Sequence, residues 1–168
     1  MKNPVVVIGI GEMGSVFARG FLRLGHPVYP VVRDTKMGEL AKQLAEPELV
    51  VIAVAEKDIQ TVLQEIPGCW RDRLVLLQNE LLPGDWSRHG LEPSVISVWF
   101  EKKKGMDSKV IIPSPVFGKH AQLVADALSS VDIETNVLGN AEDLLFELVM
   151  KNVYILTTNI AGLQTGGT

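Results

Sequence analysis

The chain has 168 residues, of which 46% are hydrophobic and 21% charged, within the globular range and large enough for one substantial core. Its net charge of -4 excludes the basic field that draws proteins to nucleic acid or anionic membranes, so we expect a small-molecule partner. The first residues do not resemble a signal peptide, the unbroken apolar runs fall short of the roughly 18 residues that span a bilayer, and a lone Cys69 excludes an intramolecular disulfide. We therefore expect a cytoplasmic protein.

Two periodicities alternate along the first half of the chain, a pattern typical of helices packed on both faces of a mostly parallel sheet. The β-branched run at residues 5–8 predicts a strand buried on both faces. Further along, the pattern predicts helices at 13–24, 36–44 and 58–66, the last capped by Asp58, and strands at 28–32, 49–54 and 74–77.

After Asn79 the alternation loosens. Strands are predicted at 95–100 and 109–112, and the short segment between them favours a hairpin over a crossover. Its Lys102-Lys103-Lys104 run is expected to be a solvated charge run, with steering of an anionic substrate as the alternative. The remaining pattern predicts a helix at 120–130, a strand at 133–138 and a long helix at 141–160 that is apolar almost all round.

The most informative motif is the glycine turn Gly9-Ile10-Gly11-Glu12-Met13-Gly14, which lies between a predicted strand and a predicted helix. In that context Gly9 permits a tight turn, Gly11 lets the backbone approach a diphosphate, and Gly14 lets the helix pack on the strand. The turn predicts a Rossmann-type, doubly wound α/β fold that binds a nicotinamide dinucleotide through residues 9–14. The alternative is a purely structural turn that happens to contain three glycines.

The end of the second predicted strand decides between the two dinucleotides, because an acidic residue there bonds a ribose hydroxyl and an arginine accepts a 2′-phosphate. Arg33 occupies that position, followed by Asp34. We therefore predict NADP(H) as the cofactor. In the alternative interpretation, Arg33 is a surface charge and Asp34 caps the next helix.

Together with the glycine turn and Arg33, the pair Gln78-Asn79 after strand four and the run Glu147-Leu148-Val149-Met150-Lys151 resemble, in order and over essentially the whole chain, the ketopantoate reductase family. The resemblance implies NADPH-dependent reduction of a 2-keto acid to a 2-hydroxy acid. It implies that Gln78 and Asn79 lie near the cofactor, that Lys151 is the general acid, and that Asn79 and Asn159 contact the substrate.

Three positions depart from that family pattern. Ile155 replaces an amide, Glu80 replaces the glycine that usually follows Gln-Asn, and the glycine turn is closer to that of the β-hydroxyacid dehydrogenases. An oxidoreductase of that second kind, acting on another substrate, is therefore one alternative. A non-catalytic NADP-binding module is another.

Lys151 has a structural alternative of its own. A cation that donates a proton would stabilise the charge left on a reduced carbonyl oxygen. However, Glu147 precedes Lys151 by four residues, the favourable order for an ion pair on a helix surface. The sequence leaves both interpretations open.

The resemblance also implies a division into a dinucleotide-binding domain at 1–139 and the start of a truncated helical substrate domain at 140–168. Because the final helix is apolar almost all round, we expect it to associate with a second copy, giving a homodimer. The three histidines are scattered, so no metal site is expected.

Overall fold

The chain is described from a computed structural model, which covers residues 1–166. Its strands are β1 (Val5–Ile8), β2 (Val28–Val31), β3 (Leu49–Ile52), β4 (Leu74–Leu76), β5 (Ser94–Ile96), β6 (Phe100–Glu101), β7 (Lys109–Val110), β8 (Ser114–Phe117) and β9 (Thr135–Val137). Its helices are α1 (Glu12–Arg23), α2 (Met37–Gln43), α3 (Ile59–Glu65), α4 (Gly84–Ser87), α5 (Ala121–Ser129) and α6 (Ala141–Gln164). Short 3-10 turns lie at Glu56–Asp58 and Gly68–Trp70.

Seven strands form the main sheet, in the order β2-β1-β3-β4-β5-β8-β9. The pairs from β2 to β5 are all parallel, with Val5 of β1 opposite Val28 of β2 on one side and Leu49 of β3 on the other. The strand order therefore reverses beside β1, and the carboxyl ends of β1 and β3 form the switch point at which open α/β sheets bind ligands. This topology confirms the predicted doubly wound, mostly parallel fold.

Side chains alternate between two buried layers along the central strands. Val5 and Val7 of β1 belong to the layer filled by α1 and α5, whereas Val6 and Ile8 belong to the layer on the opposite face. That opposite layer includes Leu63 of α3 together with Leu144 and Leu148 of α6. Because both faces are covered, β1 and β3 are fully buried, which explains their continuous apolar runs.

The region after Asn79 differs from its prediction most clearly at β5, β6 and β8. The predicted strand at 95–100 is divided, since β5 joins the main sheet and β6 pairs with β7 in the expected antiparallel hairpin. Strand β8 was not predicted, and it lies between β5 and β9 in the main sheet although it contains Pro115. The carbonyl of Pro115 accepts a hydrogen bond from the Ser97 N–H at 2.9 Å.

Asp58 was predicted to cap the third helix with its side chain, and this detail was wrong. It occupies the N-cap position of α3 without a capping hydrogen bond from its carboxylate. The 3-10 turn at Glu56–Asp58 leads directly into α3. The chain is therefore already helical when it enters α3, which removes the extended N-cap geometry that side-chain capping uses.

Helix α6 begins at an effective cap, because the Asn140 side chain accepts a hydrogen bond from the Asp143 N–H at 2.9 Å. Leu144, Leu148 and Lys151 form its buried stripe, at the i, i+4, i+7 spacing of one helix face. The exposed face carries Leu145, Phe146, Val149, Met150, Val153, Leu156, Ile160 and Leu163.

By length and composition alone, α6 could cross a membrane. The expectation that the apolar segments are too short to span a bilayer considered only unbroken apolar runs. It therefore missed this helix, which is apolar apart from a few charged residues. One such helix is weak evidence for a membrane span, and Leu144 and Leu148 of its buried stripe belong to the apolar layer on one face of the sheet. The proposed division at residue 140 stays a prediction, and Gly167 and Thr168 lie outside the described residues.

A substitution at Gly20 tests the close packing of α1 on α5. A Cβ at Gly20 would overlap the backbone carbonyl of Ala127, whereas a Cβ at Gly38 of α2 would meet no atom within 4 Å. We expect Gly20→Ala to lower the free energy of unfolding by about 1–3 kcal/mol through overpacking. Gly38→Ala, the matched control, should raise it by up to about 1 kcal/mol through helix propensity. Urea unfolding measures both, and equal effects would contradict close α1–α5 packing.

Candidate functional site

The glycine turn lies at the switch point between β1 and β3. Gly9 has a φ of +90°, and a Cβ there would lie 2.7 Å from the carbonyl oxygen of Ala53, just beyond β3. A Cβ at Gly14 would overlap the carbonyl of Gly9 itself. Two of the three glycines are thus required by the fold, in the roles that the sequence predicts for a tight turn and for close packing of the helix on the strand.

Gly11 is different, because the fold does not require a glycine at this position. A Cβ at Gly11 would meet no atom within 4 Å, and its φ of -79° is open to any residue. Gly11 is the N-cap of α1, whose first-turn N–H groups have no carbonyl partners within the helix. Space beside these N–H groups suits an anion that approaches the backbone closely.

Arg33 lies at the tip of a turn that follows β2. Val32 and Thr35 close this turn, through a 2.9 Å backbone hydrogen bond and a 3.1 Å bond from the Val32 N–H to the Thr35 hydroxyl. Arg33 and Asp34 are both exposed, and among residues 1–166 neither side chain forms an ion pair. The guanidinium of Arg33 is therefore available to a ligand that lies along the carboxyl edge of the sheet.

A cleft of about 610 Å³ opens beside the glycine turn. Gly11, Glu12 and Met13 form one wall, and the segments after β3 and β4 form the floor. The opposite wall comes from the β6–β7 hairpin region and from Lys151, Tyr154 and Ile155 of α6. The structure therefore brings the glycine turn, the Gln78-Asn79 pair and Lys151 into one cavity, although they lie far apart in the sequence.

Gln78 joins the ends of two strands. Its buried side-chain amide donates to the carbonyls of Ile52 at 2.8 Å and Val54 at 3.1 Å, and its side-chain oxygen accepts from the Leu77 N–H. These bonds hold the floor of the cleft in place and leave the amide little capacity for a ligand. Asn79, in contrast, is exposed at the cleft, and only its backbone N–H is bonded, to the carboxylate of Glu56.

Glu56 is a residue of the cleft that the sequence analysis missed. Burial raises the pKa of its carboxyl above the ordinary value, and hydrogen bonds from the N–H groups of Asn79 and Glu80 oppose this effect. An acidic residue shortly after the third strand was a signal for it, because the carboxyl ends of neighbouring parallel strands meet at one edge. Glu12, Glu56 and Glu101 together make this cleft rich in carboxylates.

The amine of Lys151 is buried at the α6 wall, with the residue only 7% exposed. Its Nζ donates to the carbonyl of Val98 at 2.6 Å and lies 4.0 Å from the ring centroid of Trp99. The Trp99 ring in turn packs edge-on against Tyr154, with centroids 5.0 Å apart. Burial lowers the pKa of the Lys151 amine, while the ring face and the carbonyl favour its charged form.

These contacts argue against the ion-pair interpretation of Lys151, and its role as a general acid stays a prediction. Glu147 forms no ion pair with Lys151, because the lysine side chain turns inward to Val98 rather than along the helix surface. Ile155 lines the cleft at the position where the resemblance expects an amide. Asn159 lies further along α6, exposed and outside the residues that line the cleft, so its predicted contact with substrate stays a prediction.

Lys102 is not the solvated charge that the sequence predicts. Its side chain is 15% exposed, and its Nζ lies 3.4 Å from the Glu12 carboxylate. The amine also donates to the carbonyls of Lys103, at 2.9 Å, and Met106. The β6–β7 hairpin loop is therefore attached to the glycine turn, a contact that joins residues 90 positions apart and leaves no periodic signal in the sequence.

No protein-family model matches this sequence, and comparison with curated proteins finds no match. Among solved structures, a ketopantoate reductase from Ralstonia eutropha JMP134 matches at a TM-score of 0.59 and 16% identity, covering 86% of this chain and 59% of that one. An imine reductase variant from Myxococcus stipitatus in complex with NAD+ matches at 0.61 and 19%, covering 98% and 64%. Mycobacterium tuberculosis 3-hydroxyisobutyrate dehydrogenase matches at 0.57 and 13%, covering 100% and 67%.

The chain has the fold of these reductases and dehydrogenases. Both kinds of enzyme that the sequence resembles, a ketopantoate reductase and a β-hydroxyacid-type dehydrogenase, occur among the structures with this fold. The chain spans 59% of the length of the ketopantoate reductase and 64% of that of the imine reductase. The likeness establishes the fold, and the chemistry of this chain has to be argued from its own residues.

A substitution at Gly11 should abolish dinucleotide binding without affecting the stability of the fold. We expect Gly11→Val to unfold at nearly the same urea concentration as the parent, since its side chain enters open space. It should nevertheless abolish dinucleotide binding, because that space is where the backbone would meet a diphosphate. Calorimetric titration and circular dichroism measure the two properties. Gly139→Val is the control, since its side chain also meets no atom within 4 Å but lies outside the cleft. Full binding by folded Gly11→Val would mean that the turn is only structural.

Proposed function

We propose that this chain is the dinucleotide-binding part of an NADPH-dependent reductase that converts a small 2-keto acid into a 2-hydroxy acid. The observation that carries the proposal is that the glycine turn and the buried amine of Lys151 line the same cleft. A dinucleotide turn alone fits many functions. A buried lysine beside it adds the proton donor that reduction of a carbonyl requires.

The residues present fit a nicotinamide dinucleotide. The open space at Gly11 and the N–H groups in the first turn of α1 suit a diphosphate. Residues 9–14, which include Ile10, Glu12 and Met13, would form the turn around it. Arg33, in the turn after β2, forms no ion pair with any residue from 1 to 166 and suits a 2′-phosphate. Gln78 and Asn79 would border the cofactor from the floor of the cleft. When bound, the dinucleotide supplies the hydride.

Lys151 supplies the other half of the reaction. Charge develops on the carbonyl oxygen of the substrate as hydride arrives, and an ammonium group nearby stabilises that charge and donates a proton to the oxygen. Because burial lowers the pKa of this lysine, its proton is released more readily than that of a surface lysine. Within residues 1–166 the amine donates one hydrogen bond, to the carbonyl of Val98, and an ammonium group has two further N–H groups with which it could bind a substrate oxygen.

The substrate is the least constrained part of the proposal. Asn79 is exposed at the cleft and suits a contact with the keto acid, whereas Ile155 adds an apolar surface beside Lys151. A dehydrogenase or reductase of β-hydroxyacid type acting on a different substrate is therefore the second candidate. A non-catalytic NADP-binding module is less well supported, because a binding module does not require a buried amine in the cleft.

The contacts of α6 beyond the sheet are also a proposal. Its exposed surface carries many large apolar side chains among a smaller number of polar ones, and an apolar surface of this kind often marks an association site. The expected homodimer, with α6 packed against a second copy, remains a prediction, as does the cytoplasmic location.

Arg33 tests the choice of cofactor. We expect the parent chain to bind NADPH more tightly than NADH, because a guanidinium pairs with a phosphate that NADH lacks. Arg33→Ala should weaken NADPH binding by about tenfold or more and leave NADH binding unchanged. Titrations that follow nucleotide fluorescence measure both affinities, with exposed Arg19→Ala on α1 as the control. Equal affinities of the parent for the two nucleotides would argue against NADP specificity.

Lys151 tests the proposed catalysis. In the full-length protein, Lys151→Ala should reduce the turnover number with ketopantoate or a related 2-keto acid by about 100-fold or more, the usual scale for loss of a general acid. NADPH affinity should change little. Glu147→Ala is the control, since Glu147 forms no ion pair with the lysine and should leave turnover unchanged. Steady-state NADPH oxidation over a panel of keto acids measures the effect, and normal turnover by Lys151→Ala would assign the lysine a structural role.

A further inference from the structure

The contact between the β6–β7 hairpin loop and the glycine turn places a cation at the point where a diphosphate would bind. The Nζ of Lys102 lies 3.4 Å from the carboxylate of Glu12, and Glu12 is the first residue of α1, directly after Gly11. The side chain is only 15% exposed, and the carbonyls of Lys103 and Met106 hold its amine in position. Lys102 is thus oriented before any ligand arrives.

The charges around the cleft make this position important. Three carboxylates, those of Glu12, Glu56 and Glu101, line the cleft, whereas Lys151 is the one cation among its lining residues. Lys151 donates to Val98 at the α6 wall, and Arg33 lies after β2, at the end suited to a 2′-phosphate. A diphosphate at the α1 N-terminus therefore needs a further positive charge to offset Glu12, the carboxylate next to it.

From these contacts we infer that Lys102 is a cofactor-binding residue, which exchanges its ion pair with Glu12 for the diphosphate of the bound dinucleotide. The exchange requires no large rearrangement, because Glu12 and the open N-cap position belong to the same turn. The hairpin loop then covers the diphosphate, and Lys102 neutralises charge that the backbone N–H groups stabilise from the other side. This inference rests on the proposed function.

Two features separate the role of Lys102 from that of Arg33. The diphosphate is common to NADPH and NADH, so Lys102 should contribute equally to both, whereas Arg33 should contribute to NADPH alone. Moreover, the contribution of Lys102 is opposed by Glu12. Removal of the Glu12 charge should therefore tighten binding, since the lysine no longer has to leave a carboxylate.

The test is calorimetric titration of NADPH and NADH into the parent chain and three sets of variants. Lys102→Ala should weaken the binding of both nucleotides by the same factor, about tenfold or more, which is the effect expected for loss of one charge-assisted hydrogen bond. Lys103→Ala and Lys104→Ala are matched controls from the same run, because both residues are exposed and neither forms an ion pair among residues 1–166. Both controls should bind like the parent. Glu12→Gln should bind both nucleotides several-fold more tightly.

Two further variants guard against a change in loop structure. Lys102→Arg retains the charge and should retain most of the affinity, whereas Lys102→Met retains the apolar stem and should bind as weakly as Lys102→Ala. The affinity of the parent should also fall more steeply with salt than that of Lys102→Met. Thermal unfolding of each variant without nucleotide checks that the fold is kept.

The outcomes distinguish this inference from the proposed function. If Lys102→Ala and Lys102→Met bind like Lys103→Ala, or if Glu12→Gln weakens binding, Lys102 is only a loop contact and the proposed function is unaffected. A loss confined to NADPH would also overturn the inference, because it would place Lys102 at the 2′-phosphate. If the folded parent binds neither nucleotide, the proposed function and this inference both fail.

Discussion

The close contact between the glycine turn and the end of β3 is the constraint on which the rest of the site depends. Gly9 adopts a positive φ against the carbonyl of Ala53, and Gly14 packs against Gly9, so no side chain separates the start of α1 from the sheet. The N-terminus of α1 therefore points across the switch point. The fold requires two of the glycines by close contacts and leaves open space at Gly11, which is why the proposed diphosphate site is placed there.

The second constraint is the burial of Lys151. Leu144 and Leu148 anchor the first half of α6 in the sheet core, and the same helix face then carries the lysine inward to the carbonyl of Val98 and the ring of Trp99. A buried ammonium costs stability unless it is partnered, and here one carbonyl and one ring face offset only part of that cost. Ionisable groups that are buried at such a cost are concentrated at functional sites. The proposed function therefore rests more on this lysine than on the fold.

Much of the fold could be predicted because its signals are local. The β-branched run at residues 5–8 and the helix predicted at 13–24 each depend on neighbours within a few residues, and the structure confirms both of them. Strand β8 was not predicted, since its four residues carry little local signal and its partners, β5 and β9, come from other segments of the chain. The prediction that Lys102 is a solvated charge was wrong for a similar reason, because its partner Glu12 lies 90 residues earlier in the chain.

By itself, the sequence determined the doubly wound α/β class and the position of the glycine turn, since spacing along strands and helices encodes both of them. Lys151 became a candidate only through the family resemblance. Only the tertiary structure decided that Lys151 contacts Val98 instead of Glu147, that Glu56 joins the cleft, and that Lys102 reaches the glycine turn. The physical reason is that a long side chain can turn to any partner within its reach. Which partner lies there depends on how distant segments pack, and periodicity carries no information about that.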